Sequence, residues 1–186
     1  MSFPLQIVVI AALCTVPFSY GMTSNVFRCT SRKEDFQISG SMALFQGVLV
    51  LLGMALGRWI IGFAGSMGFA LGVGTMALVG MRMILENRKG DPDDRAYKLD
   101  DKVMILAMSL AASINSFILA IGLPAFVEKI PLFSLLVLAG SFLFTFAGII
   151  TGKRSGNYKL GKNAVIIGGT AIICVAAFQV YLAYFA

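Results

Sequence analysis

The sequence predicts an all-α integral membrane protein with six transmembrane helices, and three observations carry that reading. Hydrophobic residues make up 58% of the chain and charged residues 13%, whereas soluble domains carry about 25% charged residues. The apolar residues fall into six runs, each near the roughly 20 residues that a bilayer core requires. The charges sit in the gaps between these runs, and the mean hydropathy is +0.86. The 186 residues read as a single membrane domain, 1–186.

The first span covers Phe3 to Thr23. The first basic residue is Arg28, so the run lacks the positive n-region of a cleavable signal and reads as a retained helix. Pro17 lies inside it and predicts a kink or break near Val16 that frees backbone carbonyls. A charged loop with Arg28, Arg32, Lys33, Glu34 and Asp35 follows. The core of the second span, Met42 to Gly57, contains Gln46 and ends at the interfacial pair Arg58 and Trp59.

The third span, about Gly65 to Leu85, is rich in glycine, which permits close helix contact. Residues 86–102 form a loop of mixed charge, with a turn at Asp91-Pro92. The fourth span, Val103 to Val127, carries Ser113, Asn115 and Ser116 near its middle. Glu128, Lys129 and Pro131 make a tight turn into the fifth span, Leu132 to Thr151, and the last runs from Ala164 to Tyr184.

With the N-terminus outside, 13 of the 15 basic residues fall on the inner side and only Arg58 and Lys129 on the outer. The positive-inside rule therefore places both termini outside and the 86–102 loop in the cytoplasm of a bacterial inner membrane. Gly53-x-x-x-Gly57-Arg58 closes the second span and Gly148-x-x-x-Gly152-Lys153 the fifth. Cys14 to Phe18 (CTVPF) in span one matches Ser113 to Phe117 (SINSF) in span four. These pairs predict an inverted 3+3 repeat, which in transporters puts the site at the repeat interface.

Composition argues against several functions. The net charge of +6 sets topology and forms no basic face with interleaved aromatics, so no nucleic-acid partner is expected. There is no His and no C-x-x-C pair, and Cys14, Cys29 and Cys174 suggest neither a disulfide framework nor a zinc, haem or iron–sulfur cofactor. No nucleophile–base pair marks an enzyme. The ten Met read as flexible core filler, and Asp91, Asp93 and Asp94 as a solvated loop. Arg82, one turn inside the end of span three, should snorkel to the interface.

Two further stretches carry a family resemblance. Val79 to Gly90 (VGMRMILENRKG) matches a G-G-R-M-I-I-E-G pattern, and Ala112 to Leu123 (ASINSFILAIGL) an S-L-D-A-[MF]-A-V-G pattern. With the Gly-x-x-x-Gly-basic ending of span five, they make the chain resemble the MntP-like manganese exporters of the LysE-type transporter group. That resemblance implies six spans and a metal carried between an Asp of span one and an Asp of span four. By motif position those acids fall at Val16 and Asn115, and a Glu of the second span falls at Gln46.

The nine acidic residues all lie in loops or at span ends, so no acid is expected in the membrane core. The path candidates are therefore neutral: Asn115, Gln46, Ser113, Ser116, Thr15, Val16, Pro17 and Ser19. Mn²⁺ prefers carboxylate, carbonyl and water oxygens, and fixed negative charge usually offsets the cost of stripping its water. The bland reading of Asn115 and Gln46 is hydrogen bonding across helices, about 0.6 to 2 kcal/mol each. The expected function is a MntP-like transporter moving a cation or small solute out of the cell. The alternative is a transport-inactive structural or accessory subunit among other membrane protein subunits. Lipids are partners on either reading.

Overall fold

The computed structural model describes residues 1–26, 31–89, 102–155 and 159–185. Cys29, the Asp91-Pro92 turn and most of the 86–102 loop lie outside them. Six helices run in order: α1 (Phe3–Val26), α2 (Arg32–Ala64), α3 (Gly68–Lys89), α4 (Lys102–Gly122), α5 (Ile130–Ser155) and α6 (Lys159–Phe185). Short 3₁₀ turns follow α2 (Gly65–Met67) and α4 (Leu123–Ala125). Each of the six helices is long and apolar enough to cross a membrane. Large apolar side chains such as Leu143 and Ile167 point outward, which suits lipid as the surrounding solvent.

The second helix departs most from expectation. It has 33 residues, about 50 Å at 1.5 Å per residue, well beyond a bilayer core of about 30 Å. Arg32, Lys33, Glu34 and Asp35 form its first turns rather than a loop, because Ser31 starts the helix with a capping box. The Ser31 hydroxyl accepts from the Glu34 N–H, and the Glu34 carboxylate accepts from the Ser31 N–H at 2.8 Å. Arg58 and Trp59 lie inside the helix, which ends only where Gly65 adopts φ 53° and its N–H donates to the Ile61 carbonyl. Trp59 is well exposed and meets Phe63 edge to face at 5.0 Å, as expected of an interfacial belt. Likewise α3 continues to Lys89, so Arg82 lies nearly two turns from its end and pairs with Glu86 at 2.5 Å.

The helices pack by close approach at glycine. On α2, a Cβ at Gly53 or Gly57 would run into the carbonyl oxygens of Phe117 and Ile121 on α4. On α5, a Cβ at Gly148 or Gly152 would run into those of Phe18 and Met22 on α1. Both pairs advance in the same direction, so α2 runs parallel to α4 and α1 parallel to α5. Bare glycine lets the backbones meet, the usual means of helix association where lipid offers no hydrophobic drive. A third seam joins α3 to α6 at Gly80 and Gly169, each facing the other's carbonyl. Leu13, Met42, Met54, Leu119, Phe133 and Ile149 fill the core between the seams.

Candidate functional site

The first polar feature of the bundle interior follows from Pro17. A proline inside a helix has no N–H to give the carbonyl four residues back, here that of Leu13. α1 is nonetheless continuous from Phe3 to Val26, so of the kink or break expected near Val16 the break does not occur. The freed carbonyl is real, and its donor comes from another helix: Gln46 Nε2 on α2 donates to Leu13 O at 3.3 Å. Gln46 is fully buried, and this bond leaves its Oε1 with no partner.

Asn115 on α4 is also buried, and its Oδ1 has no partner; the same holds for the hydroxyl of neighbouring Ser116. The parallel seam at Gly53 and Phe117 sets α4 beside α2. It brings Gln46 level with the Ser109–Ser113 turn and puts Asn115 about 7 Å further along the axis. Ser113 contributes little free polarity, because its hydroxyl donates to Ser109 O and that of Ser109 to Ile105 O, both at 2.8 Å. Such back-bonding satisfies a hydroxyl within its own helix.

The candidates on α1 divide. Val16 and Pro17 are buried. Thr15 donates to Ala12 O at 2.7 Å and lies against Gly168 of α6, and Ser19 lies against Gly161 of the same helix. Both therefore face α6. The helix interiors thus offer two amide oxygens without donors, on Gln46 and Asn115, and Gln46 stands beside the carbonyl freed by Pro17, to which its own Nε2 donates. Amide and carbonyl oxygens are hard, neutral ligands of the kind that Ca²⁺ and Mn²⁺ accept. Among the described residues, no group of three or more His, Cys, Asp or Glu stands close enough to hold a metal.

One buried acid escaped the sequence reading. Asp35, in the first turns of α2, accepts from Lys153 Nζ in the last turn of α5 at 2.6 Å. Its signal was present in Ser31-x-x-Glu34, the capping box that draws residues 32–35 into the helix.

Residues 29–179 match the family model described as "Putative manganese efflux pump". A MntP 1 protein of Wolinella succinogenes, named a putative manganese efflux pump, is 26% identical over 79% of this chain and 80% of its own length. A like-named Methanosarcina barkeri protein is 26% identical over 93% of this chain and 92% of its own. One from Corynebacterium glutamicum strain R is 30% identical over 92% and 89%. No solved structure matches. The chain belongs to this family of membrane efflux transporters and is a multi-pass protein of the plasma membrane.

Proposed function

We propose that this family member carries a cation out of the cell along a carboxylate-free path between α1, α2 and α4. Manganese, the ion its relatives are named for, is the first cation to test. The observation that carries the reading is the pair of buried, partnerless amide oxygens on Gln46 and Asn115, the first beside the carbonyl that Pro17 releases. An unpaired oxygen buried in apolar surroundings is costly and persists where something else supplies the partner. A passing cation, partly hydrated, is such a partner. Neutral oxygens compensate divalent charge less than carboxylates do, so weaker binding and slower transport than in an acid-bearing site are expected.

The same reading takes the six helices as two inverted units, α1–α3 and α4–α6, with both termini outside and the 86–102 loop in the cytoplasm. It is supported by the matched seams, in which Gly53/Gly57 meet Phe117/Ile121 as Gly148/Gly152 meet Phe18/Met22. Those are the positions that the two sequence motifs pair. The chain then acts as a transporter and catalyses no covalent chemistry.

The test is rescue of manganese sensitivity in an exporter-null bacterium. The native chain is compared with the Val16→Asp, Gln46→Glu, Asn115→Asp triple variant and with Asn115→Leu. Native rescue that is lost in Asn115→Leu is expected. Rescue by the triple variant alone would exclude manganese as the native cargo. Failure of every version, with a second membrane protein co-purifying in stoichiometric amount, would replace transport by an accessory role.

A further inference from the structure

We propose that Asp35, with Ser39 one turn deeper, forms a divalent-cation site at the charged end of the bundle, and that the ammonium of Lys153 is its tethered competitor. The proposal takes from the transport reading only the site's role, as the first stop of the cargo; the site itself stands without it.

Asp35 is the only buried acid among the described residues. Its side chain is 9% exposed, that of Lys153 29%, and their atoms meet at 2.6 Å. The charges suit their helix ends, an anion at the start of α2 and a cation at the end of α5. The contact also ties α2 to α5 at that end of the bundle. Positive charge beside a buried carboxylate is strongly favourable, so a cation able to reach Asp35 gains what the Lys153 ammonium gives up.

Lys153 is suited to yielding. A lysine head is a compact charge on a flexible stem that can swing toward water, whereas an arginine fork would be held bidentately.

The second observation lies one turn further in. Ser39 is fully buried and its hydroxyl has no partner. It is four residues from Asp35 and hence on the same helix face. Gln46, 11 residues from Asp35, lies within about 20° of that face at 3.6 residues per turn, and its Oε1 also lacks a partner. Carboxylate, hydroxyl and amide oxygens thus follow one line along α2 from the charged end to the centre. They are hard donors of the kind Mn²⁺ and Mg²⁺ prefer, and a doubly charged ion attracts the carboxylate more than a single ammonium does.

The test is equilibrium Mn²⁺ binding to the full chain in detergent, read from loss of the free-ion paramagnetic resonance signal. Lys153→Met keeps the packing of the stem and removes the competitor, so Mn²⁺ should bind about tenfold more tightly than to the native chain. Lys153→Arg should bind no tighter than native, and Asp35→Asn/Lys153→Met should lose the whole gain. Ser39→Ala/Lys153→Met should lose part of it. Equal affinity of the native and Lys153→Met proteins would overturn the proposal, as would a gain that survives Asp35→Asn. If Lys153→Met does not yield monodisperse protein, Lys153→Gln takes its place with the same outcomes. The gain should persist in a Gln46→Leu background, where central transport is lost, which separates failure of this site from failure of the transport reading.

Discussion

The seam between α2 and α4 and the seam between α1 and α5 use the same device, two glycines one turn apart set against two carbonyls, yet the polar groups beside them differ. Beside the first lie the back-bonded hydroxyls of Ser109 and Ser113 and the unpaired amide oxygen of Asn115. Beside the second lies Pro17, whose orphaned Leu13 carbonyl is met by Gln46 from a neighbouring helix. Contact between backbones leaves room for no side chain at all, so sterics fix the seams. The polar positions need only have their hydrogen bonds settled, which several residue types can do. Sterics therefore hold the seams more strictly than hydrogen bonding holds the polar positions beside them.

The strongest way to break this comparison is to fill the seams. Gly57→Val and Gly148→Val should each cost more than about 3 kcal/mol, because the new side chain meets a carbonyl rather than a movable side chain. Neither should yield monodisperse protein on size exclusion. Gly74→Ala, with nothing within 4 Å, should be neutral or slightly stabilising in thermal unfolding. A seam that tolerates valine would mean that the helices are further apart than described.

A smaller effect sharpens the Pro17 side. Gln46→Leu should cost about 1–3 kcal/mol, since it leaves the Leu13 carbonyl buried and unmet. In a Pro17→Ala background the helix supplies its own N–H, and the same substitution should cost about 1 kcal/mol less. Strict additivity in that double-mutant cycle would show that the proline and the glutamine are not linked.

The smallest effects belong to α4. Ser113→Ala should change stability by less than about 0.5 kcal/mol, because its hydroxyl serves only its own helix. Asn115→Leu should leave the unfolding temperature unchanged or raise it, since it removes an unpaired buried oxygen, while transport falls. A clear loss of stability would instead make Asn115 a structural residue.

Much of this was legible in the chain. Six apolar runs gave six helices, and the glycine pairs at 53/57 and 148/152, which in sequence point to a repeat, lie at the two seams. Pro17 implies a freed carbonyl, but nothing local in sequence shows that Gln46, 33 residues away, meets it. The charges at 32–35 read as a loop on hydropathy alone, whereas the Ser31-x-x-Glu34 cap draws them into α2. The buried Asp35 and its bond to Lys153 stayed hidden for the same reason. Thr15 and Ser19 looked alike with Asn115 in sequence, but the pitch of α1 turns them toward α6.

The most direct test of the central claim is the rate of Mn²⁺ efflux from preloaded cells expressing the native chain, Gln46→Leu or Asn115→Leu at equal membrane levels. Efflux by the native chain that falls to the empty-vector rate in both variants is the predicted result. Efflux unchanged by either substitution would contradict a path built on those two amides.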